Sequence, residues 1–248
     1  MSDDGRTTGK LMHAYSTYIG KHLPPPGDLR RPLYVLSQLP AIDMLQEEME
    51  HVYNDECLIQ DITLEQYLHE LTSITDTQKY ALSQVFGSTI HTSLPIPESR
   101  SGYKRGNLLM AVVFYISGGD LKKTMDTMKD LLEVSDDIWP ITQDKALIQA
   151  ITDQSELIIT QDHISNHPAS YQGKILKMEL TSDSKSAKIN PEILEKSKSS
   201  SYIIITPGDI HTSIGSNFLP AGAKEWIAKH PAKVICVMNP INKDGEAR

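Results

Sequence analysis

The chain has 248 residues, enough for one large domain or two small ones, and 39% of them are hydrophobic, which suffices for a packed core. A net charge of −8 and a pI near 5.6 argue against broad binding to nucleic acid or an anionic membrane, since both call for a basic face. That balance leaves room for a local basic pocket around one phosphorylated ligand.

Residues 2–10 read as a loop, and "PPPGD" at 24–28 is too rich in Pro and Gly for a helix interior. From 28 to about 38 the spacing turns helical, with Leu29, Pro32, Leu33 and Leu36 on one side. Residues 41–100 read as a helical insert. In it "MLQEEMEHVY" is amphipathic and "TLEQYLHEL" opens on the capping-box pair Thr63 and Gln66. "TDTQKYALSQVFG" pairs Thr75 with Gln78 and ends at Gly87 as a C-cap. "SLPIPESRSGYKRG" is a loop.

"NLLMAVVFYIS" is apolar almost all round and predicts a central, buried helix, stopped by Gly118 and Gly119. "DLKKTMDTMKDLLEV" follows, with Asp120 as N-cap and Leu121, Thr124, Met125, Met128, Leu131 and Leu132 as its stripe. From "IWPIT" onward the period becomes two, and "SELIIT" and "KILKMEL" read as strands. "NPEILEKSKSS" predicts a helix with Asn190 as N-cap and Pro191 in its first position. Tyr202–Ile205 is an apolar strand. A loop with Gly208, Thr212 and Ser213, a helix over about 217–229 and a strand over 233–238 complete a βαβ unit of a buried parallel sheet.

Three loops hold residue types suited to a ligand. They are "SDDGRTTG" with Asp3, Asp4, Gly5, Thr7, Thr8 and Gly9; "PPPGDLRR" with Gly27, Asp28, Arg30 and Arg31; and "TPGDIHTSIGSN" with Thr206, Gly208, Asp209, His211, Thr212 and Ser213. Glycine lets the backbone approach a phosphate, and hydroxyls and a helix N-terminus donate hydrogen bonds to it. Loops at the carboxyl ends of parallel strands are where such folds bind ligands. Each loop also has a structural reading. Asp28 and Arg30 make either an ion pair or cap, or a phosphate-holding Arg30 beside an Asp28 that binds a hydroxyl, acts as a base or binds Mg²⁺. Asp3 and Asp4 suit a ribose or a metal, and equally a solvated terminus. His211 reads as a polar contact or as a general acid or base.

The two cysteines, Cys57 and Cys236, stand far apart with no His/Cys cluster, against a disulfide framework or zinc site. No apolar run approaches the roughly 18 residues of a membrane span, and no basic-then-apolar leader opens the chain, so a soluble cytoplasmic protein is expected. No P-loop, GxGxxG or Ser-His-Asp order is present.

Taken in order, "DDGRTTGKL", "PPPGDLRR.L..LS", "G.....GNLLMA", "W.P.T", "I..TPG..HTSI..NFL..G" and "VICVMNPINKDGEA" resemble the CofD-like proteins. That family joins the 2-phospho-L-lactate transferases of coenzyme F420 synthesis to the bacterial gluconeogenesis factors, which bind UDP-sugars. The second branch is the closer match. The resemblance covers 2–38 and 102–246, and 41–100 is longer and more divergent. It implies one α/β domain over 1–248, a three-layer Rossmann-like fold with a mostly parallel sheet and a helical insert. Family members begin with a strand and a Gly-rich turn ahead of the first motif, so the first βα unit is expected to be missing here.

By the same resemblance Asp4, Thr8, Gly9, Gly27, Asp28, Arg30, Asn107, Gly208, Thr212, Ser213 and Asn239 contact a nucleotide or substrate. Asn107, Thr212 and Ser213 would grip the nucleotide and Arg30 its phosphates. The implied function is a regulatory protein that binds a nucleotide-sugar such as UDP-GlcNAc, linked to carbon metabolism and cell shape, with a homodimer as the implied assembly. Two alternatives stand beside it. One is a phospholactate transferase using Mg²⁺, with Asp4 or Asp28 assisting. The other is a degenerate paralogue without ligand, in line with Arg6, Arg31, Tyr103, Asp209 and His211 where the family has Gly, Asn, His, Ser and Tyr.

Overall fold

The structure is a computed structural model that describes residues 7–40, 42–72, 75–165 and 173–238. It divides into two compact units, Lys10–Ile138 and Trp139–Arg248 with Met1–Gly9.

The described chain opens on α1 (Thr7–Ala14), where the sequence reading placed a loop as far as residue 10. Leu11 and Tyr15, four residues apart, are both enclosed, and that helical spacing draws the turn before them into the helix. In the Lys10–Ile138 unit follow α2 (Pro26–Leu36), α3 (Ile42–Glu50), α4 (Leu64–Glu70), α5 (Asp76–Phe86), α6 (Arg105–Ile116) and α7 (Leu121–Leu131). The expected apolar helix is α6, buried continuously from Gly106 to Phe114. It packs on α2, α3, α4 and α7, and each enclosed Leu, Met or Val contributes about 1.5–3 kcal/mol over leaving it in water. Gly118 and Gly119 follow at φ 69° and 74°, a left-handed turn that stops α6. Asp120 then caps α7 by accepting from the Lys123 N–H at 3.1 Å. Thr63 and Gln66 form the expected capping box on α4.

Residues 41–100 lie wholly within this unit. Leu45, Met49, Leu64 and Leu68 join them to the same core as α6. Their second fastening is charged. Arg100 grips Asp55 with two hydrogen bonds of 2.7 Å and Glu70 with two of 2.9 and 3.2 Å, and its guanidinium stacks 3.8 Å from the centre of the Tyr53 ring. The Tyr53 hydroxyl donates to Glu70 at 2.7 Å. Beside Arg100, the Asp55 carboxyl is pulled down to about 2.

The other unit holds β1 (Ile148–Thr152), β2 (Leu157–Ile159), α8 (Gln161–Ser165), β3 (Ile175–Leu180), α9 (Pro191–Lys196), β4 (Tyr202–Ile205), α10 (Ala223–Lys229) and β5 (Lys233–Cys236). β4 and β5 pair in parallel, Ile203 opposite Val234, as the βαβ reading requires. The remaining strands form an antiparallel sheet ordered β2-β1-β3. The expectation of a mostly parallel sheet is therefore met by one of the three described ladders. The reason is local: residues 153–156, with Ser155 at φ 63°, return β1 directly into β2, and so short a link joins only antiparallel neighbours. Asn190 caps α9 with Pro191 in its first turn. The helix expected from 217 starts at Ala223, because 210–214 form a wider π turn, 215–218 a tighter 3-10 turn, and Gly222, at φ 89°, is the N-cap.

Candidate functional site

Two groups of the motif residues are gathered by the fold, one in each unit. The first lies where α2 meets α6. Pro26 opens α2, whose fixed backbone suits a first helical position. Gly27 and Asp28 fall in that first turn, where an acidic residue complements the helix dipole. Arg30, one turn on, points into the protein with its side chain 1% exposed. Its Nε donates to Asn107 Oδ1 at 3.1 Å and its Nη1 to the Tyr34 hydroxyl at 3.1 Å. The same Nη1 lies 2.6 Å from Glu50 Oε1, and the other Glu50 oxygen lies 2.6 Å from Lys104 Nζ.

Gly106 explains why the GN pair opens α6. A Cβ there would stand 2.5 Å from Arg30 Cδ, 2.9 Å from the Tyr34 hydroxyl and 3.0 Å from Arg30 Nε. The arginine crosses the first turn of α6 so closely that only glycine fits. Asn107 is enclosed beside it, its Oδ1 4.0 Å from where a Gly27 Cβ would stand. Motifs 77 residues apart thus meet through one hydrogen bond.

Burial opposes the Arg30 charge, yet Tyr34 and Glu50 outweigh it and hold the guanidinium above its ordinary value. Burial also pushes the Tyr34 hydroxyl up to about 12, against the pull of Arg30. For Glu50 burial is overcome by Lys104 and Arg30, which bring its carboxyl down to about 2. With two cations around one carboxylate the cluster is positive by one charge.

The second group follows β4. Asp209 accepts from the backbone N–H of His211 at 3.0 Å, and from the N–H and hydroxyl of Thr212 at 2.7 and 2.9 Å. Its carboxylate thereby caps the turn over 210–214. Thr212 is buried, with its hydroxyl 3.1 Å from that of Ser165, while Ser213 is exposed. Gly208 lets the loop close, since a Cβ there would meet Ser213 Cβ at 2.9 Å.

The family model of 2-phospho-L-lactate transferase CofD matches residues 1–248. The chain belongs to the CofD family. Within the CofD family it is similar to the gluconeogenesis factor of Bacillus subtilis, 23% identical over 248 residues, and to that of Halalkalibacterium halodurans, 22% identical over 246. Each alignment covers 99% of this chain, but 60% and 59% of those proteins, so the chain spans about three fifths of their length. The crystal structure of a Bacillus halodurans protein is similar in fold, with a TM-score of 0.68 at 23% identity, covering 98% of this chain and 60% of that one.

Of the CofD-family positions carried onto this chain, Asp4 and Asn239 lie outside the described residues. Thr8 and Gly9 lie in α1, Thr8 buried and Gly9 half-buried. Gly27, Arg30 and Asn107 come together in one unit, and Gly208, Thr212 and Ser213 in the other. Asp28 is exposed on the first turn of α2. Arg30 departs from the expectation: its guanidinium is enclosed and bonded to Glu50, Asn107 and Tyr34. Among the described residues no three His, Cys, Asp or Glu side chains gather as a metal site. No described helix is long and apolar enough to cross a membrane.

The sequence reading missed Tyr34, Glu50 and Lys104. A signal for two of them was present. Glu50 ends α3 and Lys104 is the N-cap of α6, and each is the wrong sign for its own helix dipole. Two such misfits satisfy one another across space, and here they do.

Proposed function

We propose that this chain binds a nucleotide-sugar of the UDP-GlcNAc kind and acts as a regulatory protein of the gluconeogenesis-factor type. The observation that carries the reading is the α2–α6 cluster, where the CofD-family motif residues Gly27, Arg30, Gly106 and Asn107 meet and Glu50 and Lys104 join them. Arg30 and Lys104 around the one Glu50 carboxylate give these residues a local excess of positive charge in a chain of net charge −8, which favours a phosphorylated ligand. The similarity to gluconeogenesis factors along 99% of the chain supports the regulatory sense. A location in the cytoplasm and a role in cell shape belong to this proposal.

The test is a thermal-shift panel with UDP-GlcNAc, UDP-glucose, GDP and GTP, each with and without Mg²⁺, followed by product analysis. A ligand at 100 times its dissociation constant adds about 2.7 kcal/mol of stability. A selective shift with a UDP-sugar and no turnover is expected. A shift with GDP that requires Mg²⁺ would replace the reading with a transferase. A cooperative melt that no ligand moves would leave a degenerate CofD-family member.

A further inference from the structure

We infer that Arg30 and Lys104 together form an anion-binding place that Glu50 occupies in the free chain, and that a phosphate of the ligand displaces the Glu50 carboxylate to reach it. The inference deepens the nucleotide-sugar reading and rests on it. It adds Lys104 as a phosphate contact and makes Glu50 an internal competitor for the same place.

The argument begins with how the three side chains share their bonds. Glu50 presents one oxygen to Arg30 Nη1 and the other to Lys104 Nζ, each at 2.6 Å. Two cations set on two oxygens of one oxyanion suit a phosphate as well as a carboxylate. Both cations are anchored by contacts other than Glu50. Arg30 is bonded to Asn107 and Tyr34 and packed over Gly106, and Lys104 is the N-cap residue of α6. Glu50 is the last residue of α3, where the helix dipole opposes a negative charge. The first turn of α6, beside Lys104, favours one. Negative charge thus suits the place and not the helix that supplies it.

Exposure points the same way. Arg30 is 1% exposed, whereas Glu50 and Lys104 are 32% and 35% exposed. The carboxylate therefore reaches inward from the surface, and swinging back into water it opens Arg30 Nη1 to the outside. A guanidinium left buried without its carboxylate is costly, so Glu50 gives way only to another anion. An internal competitor of this kind lowers the apparent affinity by the fraction of chains in which the place stands open.

Calorimetric titration of the full chain with inorganic pyrophosphate, UDP-GlcNAc and uridine is the test. Glu50→Gln keeps an acceptor for Arg30 and releases Lys104. It should melt cooperatively and bind pyrophosphate and UDP-GlcNAc about tenfold more tightly than the parent, with uridine unchanged. Lys104→Ala should weaken both phosphate-bearing ligands about tenfold, and should cancel the gain in the double variant. Two more variants separate contact from overall charge. Glu47→Gln removes a charge from an exposed position of the same helix and should leave pyrophosphate affinity as it was. Glu50→Asp keeps the charge but is one methylene shorter, cannot span both cations, and should tighten pyrophosphate too. Equal gains from Glu47→Gln and Glu50→Gln, or parental pyrophosphate affinity in a Glu50 variant that melts cooperatively, overturn the inference.

Pyrophosphate keeps this apart from failure of the proposed function. If the variants order as expected with pyrophosphate and none binds UDP-GlcNAc, the nucleotide-sugar reading fails and the anion place stands. If UDP-GlcNAc binds and Lys104→Ala leaves its affinity untouched, the nucleotide-sugar reading stands and the anion place falls.

Discussion

Two buried arginines in the Lys10–Ile138 unit answer the same burial problem differently. Arg100 is saturated: two carboxylates hold it and Tyr53 lies beneath it, so its cluster is negative by one charge. Arg30 shares a single carboxylate with Lys104 and spends its other described bonds on neutral groups, so its cluster stays positive. Neutralising a buried cation is what stability alone asks for. Leaving a positive cluster beside two glycine-bearing turns is what an anionic ligand asks for. On the proposed function, the difference separates a fastening from a recognition site within one helical unit.

The largest expected effect breaks the fastening. Arg100→Met leaves Asp55 and Glu70 without their cation and Tyr53 without its stacked partner. Removing one partner of a buried ion pair costs about 3–5 kcal/mol. Here the acids are 44% and 30% exposed and reach water, so about 2–3 kcal/mol is expected. Chemical denaturation measures it. If the comparison is right, the folded variant binds UDP-GlcNAc as the parent does, because nothing in the α2–α6 cluster touches Arg100. A parallel loss of affinity would erase the distinction between the two regions.

Gly106→Ala probes the other side with a smaller cost. The added methyl meets buried Arg30 Cδ at 2.5 Å and the Tyr34 hydroxyl at 2.9 Å, so Arg30 must shift off Asn107. Overpacking of this kind costs about 1–3 kcal/mol. The variant should lose less stability than Arg100→Met and more affinity. That crossing of the two orders, by denaturation and titration side by side, is the sharpest form of the comparison.

Much of this was legible in the sequence. The capping box at Thr63, the caps at Asp120 and Asn190, and the all-apolar α6 each follow from neighbours within four residues, and each formed as expected. β1 was missed although Ile148, Ala150 and Thr152 alternate with Gln149 and Ile151, because the run is short and follows an irregular stretch over 139–147. The antiparallel sheet went unread for a different reason: strand direction depends on which strands a link can reach, and composition does not carry that. At the site, the residue types in "PPPGDLRR" and "GNL" were recognisable, while their meeting was not. The role of Arg30 depends on Glu50 and Gly106, which stand 20 and 76 positions along the chain. No local pattern joins them.

The smallest effect is confined to acid pH, and it tests whether Glu50 and Asp55 differ in anything but location. Both carboxyls are held near 2 in the folded chain, below their ordinary values of 4.5 and 3.8. An unfolded chain therefore binds more protons than the folded one between those limits. Stability from each pair is present in full above about pH 5 and is lost as pH falls toward 2. Glu50→Gln and Asp55→Asn should each flatten that part of the stability curve, and by similar amounts. At neutral pH the two should part company. Asp55→Asn lowers stability and leaves nucleotide affinity alone. Glu50→Gln removes the carboxylate between Arg30 and Lys104 while its amide oxygen still accepts from Arg30, so an anionic ligand should bind more tightly at low salt, and the gain should fade as salt rises. Equal affinities for the two variants would mean that the charge around Arg30 is as much a matter of fastening as the charge around Arg100.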